Sequence, residues 1–272
     1  MRDDKSAPPP LLTLDHVSKA YGHTAPAVSD ISVDIERGSF VSLVGPSGCG
    51  KSTLLRLIAG LVQPSSGTLA WAPASLSPGP SEQPELGFVF QDATLLPWAS
   101  AFDNVYLPLK LKGLSREDAT TRVTTALSRV GLVDDQNKRP HELSGGMRMR
   151  VSIARALVTQ APVLLMDEPF AALDEYTREL LDDDLLTLWR EFRWTVLFVT
   201  HSVYESVYLS ERILVMGTGG EPADGGNRGG GRIQADLRIG APYPRGYDFR
   251  QSKTYFDYCR TVSAALRGES VS

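Results

Sequence analysis

The sequence predicts an α/β fold built around a parallel sheet, and three segments predict it. Residues 40–44, 163–166 and 195–199 are short, predominantly apolar runs, the pattern of strands buried on both faces. The first leads directly into a glycine-rich turn, Gly45-Pro46-Ser47-Gly48-Cys49-Gly50-Lys51-Ser52. A helical pattern over residues 53–60 follows and is closed by Gly60. Strand, glycine loop and helix start together form an anion cradle, because backbone N–H groups and the helix dipole both favour negative charge there.

The remaining elements follow in order. Residues 1–10 are polar and proline-rich and are expected to form a disordered tail. Residues 11–17 and 27–35 alternate apolar and polar positions, as antiparallel strands do. Residues 72–86 are expected to form a long surface loop, and 86–90 a buried strand. From 101 to 160 the pattern is mostly helical and rich in Arg, Leu and Ala. A helix over 176–192 separates the strands at 161–166 and 195–199, and a further strand covers 212–216. Residues 217–231 are dense in glycine and predict a flexible stretch. Residues 249–266 regain helical periodicity, with aromatics at Tyr255, Phe256 and Tyr258.

Composition narrows the function classes. A chain of 272 residues can bury a sizeable core without metal or disulfide support. Its formal net charge of −4 argues against a protein that coats nucleic acid. Of the two cysteines, Cys49 lies inside the glycine loop, so no structural disulfide is expected and a reducing compartment fits. The start of the chain lacks an apolar leader, and no segment approaches the ~18 apolar residues of a membrane helix. A membrane role would therefore run through a partner.

The glycine loop matches G-x-x-x-x-G-K-[ST] in the correct strand–loop–helix context, which predicts binding of a nucleoside triphosphate. Residues Gly45 to Thr53 would surround the phosphates, with Lys51 reaching the β- and γ-phosphates and the Ser52 hydroxyl on Mg²⁺. Asp167 and Glu168 end the apolar run that begins at Val163. An acid at the carboxyl end of a buried strand can hold Mg²⁺, the role expected of Asp167. Glu168 can accept a proton from an attacking water, or orient it. His201 follows the strand at 195–199, and Gln91 the strand at 86–90. Adjacent parallel strands deliver such residues to one sheet edge, so His201 can approach the γ-phosphate and Gln91 the Mg²⁺ or the water. The triplet Asp182-Asp183-Asp184 is expected to be a solvated acidic surface, since three consecutive helical positions share no face.

Leu143-Ser144-Gly145-Gly146-Met147 adds a specific resemblance, to the ATP-binding cassette ATPases. Their LSGGQ signature lies ahead of the Walker B strand, as it does here. Tyr21 matches the aromatic that stacks on adenine in that family, which selects ATP. Gln91 matches the Q-loop, Ala172-Leu173-Asp174 the D-loop and His201 the switch histidine. The resemblance implies a P-loop NTPase cassette spanning residues 11–216: a RecA-like parallel-sheet core, an antiparallel β subdomain and a helical signature subdomain at about 92–160. Residues 217–232 would be a linker or insertion, and 233–272 a C-terminal tail with a helix.

It further implies ATP hydrolysis with Mg²⁺ in a head-to-tail homodimer. Each ATP would lie between the phosphate loop of one subunit and Ser144, Gly145 and Gly146 of the other, with Asp174 nearby. Phe90-Gln91-Asp92-Ala93-Thr94-Leu95-Leu96-Pro97-Trp98 looks like the Q-loop of importers for nitrate, taurine and aliphatic sulfonates. This implies transmembrane permease partners, a substrate-binding protein and a place on the cytoplasmic face of the membrane, with residues 95–98 beside the permease. The alternative is an ABC-type ATPase acting on nucleic acid or ribosomes. Such relatives carry two cassettes or an inserted coiled coil, and this chain has neither. Met147 in place of the signature glutamine is also common in that importer group, and the chain departs from the family at Met149, where many relatives have glutamine, at Ser202, where aspartate is usual, and in the glycine-rich stretch 217–231.

Overall fold

The computed structural model describes residues 9–22, 25–72, 83–219 and 229–269. The tail expected at 1–10 and the loop expected at 72–86 fall mostly outside these residues.

One nine-stranded sheet organises the described residues, in the order β4-β1-β2-β9-β8-β3-β7-β6-β5. Strands β1 (Leu12–Lys19), β2 (Val28–Ile35) and β4 (Ser66–Trp71) form an antiparallel set at one end. Strands β3 (Phe40–Val44), β5 (Leu86–Val89), β6 (Val163–Asp167), β7 (Thr195–Thr200) and β8 (Arg212–Gly219) run parallel. Strand β9 (Gly229–Arg238) pairs antiparallel with β8 and touches β2 in parallel register at Val28 and Gly231.

Every residue of β3 and β7 is buried, Ser42, Thr195 and Thr200 included, as strands covered on both faces require. Their side chains alternate between two cores. Val196 and Phe198 enter one with the helical region, while Leu197 and Val199 enter the other with α1 (Lys51–Ile58). The helical region comprises α2 (Ala101–Leu111), α3 (Arg116–Arg129), a single 3-10 turn at Pro140–Glu142, and α4 (Gly145–Leu157). Helix α5 (Glu175–Phe192) joins β6 to β7, and α6 (Val203–Leu209) joins β7 to β8. The chain closes with α7 (Tyr247–Arg250) and α8 (Lys253–Leu266).

Among the described residues six of the eight α-helices start by one rule, and α1 and the four-residue α7 lack a side-chain cap. Ser100, Ser115, Ser144, Asp174, Ser202 and Ser252 each accept a hydrogen bond from the backbone N–H three residues on. Helix α1 instead begins at Gly50, at φ 93°, with no side-chain cap. Its first N–H groups are left for a ligand.

Two expectations change. The glycine-dense stretch is the β8–β9 hairpin: Gly217 and Gly219 end β8, Gly229 to Gly231 begin β9, and residues 220–228 lie outside the described set. Register with a neighbouring strand, invisible to local composition, makes these glycines strand residues. The acidic triplet is solvated only in part, at Asp183 and Asp184, while Asp182 is buried. Asp182 is 1% exposed and faces Arg250 at 3.4 Å, Asp183 accepts from the Tyr208 hydroxyl, and Asp184 pairs with Arg150. The tail's Arg250, distant in sequence, converts one acid of the triplet into a core group.

Candidate active site

Parallel pairing sets the carboxyl ends of four strands side by side. Val44 lies opposite Thr200, Asp167 opposite Val199, and Val89 opposite Met166. The phosphate loop, His201, Glu168 and Gln91 therefore emerge along one sheet edge, where open α/β sheets bind ligands.

Side chains there form a connected chain. The Lys51 ammonium, 4% exposed, donates to the carbonyl oxygens of Gly45 at 2.8 Å and Pro46 at 3.0 Å. It also lies 3.9 Å from Glu168 Oε1. Glu168 Oε2 is 3.4 Å from His201 Nδ1. Ser52 Oγ donates to Asp167 Oδ1 at 2.8 Å. Glu168 adopts φ 49°, a left-handed conformation that costs a non-glycine residue about 1–2 kcal/mol. Its N–H donates to the Val199 carbonyl at 2.9 Å, which holds the strained backbone against β7. The strain turns the carboxylate towards Lys51 and His201.

Electrostatics suit a cation beside Asp167. Burial pushes its carboxyl above the usual carboxylate range, and the Ser52 hydrogen bond only partly opposes this. A hard divalent ion favours carboxylate and hydroxyl oxygens and would relieve that penalty, so the Ser52–Asp167 pair fits Mg²⁺. Cys49 is fully buried with its sulfur against Gly45, so only its backbone can meet a phosphate. Pro46, Ser47 and Gly48 are exposed at the loop crest, and Ser52 and Thr53 are half-buried.

Other predicted residues stand apart from this chain. Gln91 is exposed two residues beyond β5, and among the described residues no hydrogen bond ties its side chain to Asp167 or Glu168. Tyr21 is half-exposed just after β1, with the Lys19 ammonium 5.1 Å from its ring centroid. Ser144 caps α4 through Met147 N–H at 3.2 Å, and its own hydroxyl proton stays available. Gly146 packs against α5: a Cβ there would lie 2.7 Å from Thr177 Cγ2. Asp174 engages both carboxylate oxygens with Thr177, at 2.9 Å from the N–H and 2.7 Å from the hydroxyl. The signature and the D-loop thus form one packed unit, separate from the Lys51–Glu168–His201 chain.

Sequence reasoning missed two residues that shape the loop after Gln91. Arg155 donates to the carbonyls of Ala93 and Thr94 at 3.0 Å each. Asn104, fully buried, accepts from Leu96 N–H at 2.7 Å and donates to Leu96, Ala99 and Ser100 carbonyls. A polar residue inside a helical run gave the only signal, and it named no partner. Between these anchors Trp98 is 71% exposed.

Comparison with known proteins points to one family. The family model described as ABC transporter matches residues 28–171. A nitrate import ATP-binding protein of Synechocystis sp. is 40% identical over 248 residues, 89% of this chain and 88% of that protein. A taurine import ATP-binding protein of Rhizobium johnstonii is 45% identical over 212 residues, 76% of this chain and 79% of that one. A solved dimeric ATP-binding cassette in a post-hydrolysis state with ADP and Pi superimposes with a TM-score of 0.68 at 32% identity. It covers 87% of this chain and 100% of its own. With that match, and the phosphate loop set against two acids and a histidine, the chain belongs to the ABC transporter family as one of its ATP-binding, ATP-hydrolysing cassettes.

Proposed function

We propose that this cassette is the ATPase subunit of an importer for a small solute of the nitrate, taurine or sulfonate type. The observation that carries the catalytic half is the Lys51–Glu168–His201 chain beside the uncapped start of α1. The triphosphate lies in the phosphate loop, with the α1 N–H groups on its oxygens. Lys51 exchanges its loop carbonyls for the β- and γ-phosphates. Ser52 and Asp167 would hold Mg²⁺, which would neutralise charge on the phosphates. Glu168 takes the proton of the attacking water or orients that water. His201, 3.4 Å from Glu168, holds the carboxylate and reaches the γ-phosphate, and Gln91 closes the site as its loop swings in.

Tyr21 stacks on adenine. Ser144, Gly145, Gly146 and Asp174 act on the nucleotide of a second copy in a head-to-tail dimer. Their separation from Lys51 within one chain supports this reading, as does the dimeric state of the solved relative.

Among the described residues no helix is long and apolar enough to cross a membrane. Transport therefore needs permease subunits, and the cassette works as a peripheral subunit at the cytoplasmic face. Trp98 and Leu111, both exposed, support this, as does a cleft of about 360 Å³ lined by Phe88, Pro108 and Leu111. A substrate-binding protein would deliver the solute to the permease. The solute class rests on the names of the nitrate and taurine import relatives.

Two measurements test the proposal. Affinity purification of the chain from its own membranes should recover a multispanning permease, and reconstituted transport should stop in Lys51→Ala. Recovery of ribosomes or nucleic acid with no permease would reverse the assignment.

A further inference from the structure

Both ends of the phosphate loop rest on the backbone of the β8–β9 hairpin. A Cβ built on Gly45 lies 2.3 Å from the Met216 carbonyl oxygen of β8. A Cβ on Gly231 lies 1.8 Å from the Cys49 carbonyl oxygen. A Cβ on Gly50 lies 2.4 Å from the Ala27 carbonyl oxygen, and one on Gly230 lies 2.6 Å from that of Pro26. Gly231 N–H also donates to the Ala27 carbonyl at 3.1 Å.

Three backbone segments therefore meet closely: residues 26–28, the end of the phosphate loop, and the start of β9. At each glycine the nearest blocking atom is a main-chain carbonyl oxygen, and at Gly231 every blocking atom is main chain, so rotating a side chain does not relieve that contact. A methyl group on Gly231 must push apart β9 and the Cys49–Gly50 peptide. That peptide leads directly into α1, whose first N–H groups lack a side-chain cap. At the other end, Gly45, whose Cα faces the Met216 carbonyl, supplies one of the two carbonyl oxygens that hold the Lys51 ammonium.

We infer that the glycine-rich hairpin is the seat of the phosphate loop, and that Gly231 is a positioning residue for nucleotide binding. Its missing side chain sets the distance between β9 and the Cys49–Gly50 backbone, and with it the aim of the N–H groups that open α1. This rests on the reading of residues 45–52 as the triphosphate site. It also explains why a glycine-dense segment lies inside a sheet, where glycine otherwise weakens a strand and often marks close backbone approach.

The test compares the full chain with Gly231→Ala, Arg232→Ala and Lys51→Ala, by equilibrium binding of MgATP and by melting without nucleotide. Arg232 is the exposed neighbour on β9 and serves as control. Gly231→Ala should weaken MgATP binding about tenfold or more, the effect of misplacing one charge-assisted hydrogen bond. Its nucleotide-free melting temperature should fall below the parent's, so binding is compared at a temperature where both are folded, and Arg232→Ala should bind as the parent does. In steady state KM for ATP should rise more than kcat falls. In the unmodified chain, the amide resonances of Gly230 and Gly231 should shift when MgATP is added, a readout that stands even if Gly231→Ala does not fold. Parent-like affinity in Gly231→Ala, or unmoved Gly230 and Gly231 amides, would overturn the inference. Parent-like affinity in Lys51→Ala would instead remove the phosphate-site reading beneath it.

Discussion

Replacing Glu168 by glutamine separates the chemistry of the site from its binding. The change keeps shape and hydrogen-bonding capacity but removes one negative charge and one proton acceptor. Loss of a positioned general base slows a reaction about 10²–10⁴-fold, or about 3–5 kcal/mol on the barrier. The charge change acts in the opposite sense on binding. Glu168 Oε1 lies 3.9 Å from the Lys51 ammonium, with both groups largely buried. At that separation a unit pair attracts by about 4 kcal/mol at an effective dielectric constant near 20. Removing it frees Lys51 for the phosphates and removes a like charge facing them. Phosphate release by the assembled transporter should therefore fall about 10²–10⁴-fold. Equilibrium MgATP affinity should hold or tighten, and an ATP-bound dimer should accumulate on gel filtration. A kcat within about threefold of the parent would falsify the role given to Glu168, since even a weak general base contributes more than that. Equal losses of turnover and affinity would refute the charge argument.

Three further outcomes follow from buried groups. Burial holds the Glu205 carboxyl up at about 7, against a hydrogen bond from Thr200 that lowers it. The folded chain then keeps a proton that the unfolded chain releases between about pH 4.5 and 7, so this group's contribution to stability falls as pH rises through that window. Glu205→Gln should gain on the parent by up to about 3 kcal/mol across it, measured by urea unfolding at successive pH values; a constant difference would refute the assignment. Arg245 donates to the carbonyls of Val207, Tyr208, Ser210 and Ala241, which ties the tail to the end of α6. Arg245→Met should cost about 3 kcal/mol or more in unfolding free energy, and a loss under about 1 kcal/mol would show that these carbonyls find other partners. Burial raises the Cys49 thiol above its ordinary range and takes Cys259 to about 11. Brief N-ethylmaleimide treatment at pH 7.5 should leave ATP hydrolysis intact, because little thiolate forms and neither sulfur is exposed; rapid inactivation that ATP prevents would contradict this.

Much of the site was legible because its parts are local. A strand running into a glycine loop and a helix is contiguous in sequence, and so is an acid that ends an apolar run. The strands at 40–44 and 195–199 were recognisable because burial on both faces leaves few polar positions in them, Ser42 and Thr195 alone. The elements missed are those whose local signal is weak. Strand β4, Ser66–Trp71, is largely exposed at the sheet edge and shows little alternation. Strand β9 begins in glycines that composition assigns to a linker, and becomes a strand only by pairing with β8. Helix α6 is only seven residues long.

By itself the sequence determined the kind of chemistry: a phosphate loop, an acid pair after a buried strand, and a signature whose spacing identifies the family. The tertiary structure decided which of those groups act together. Parallel register aligns Asp167 with Val199 and Val44 with Thr200, and so brings Glu168 between Lys51 and His201. The same packing holds Ser144 and Asp174 in a separate unit and turns the glycine-rich stretch into the bed of the phosphate loop. These outcomes depend on strand order and close backbone contact between segments far apart in the chain, and residue spacing within one segment carries no record of either.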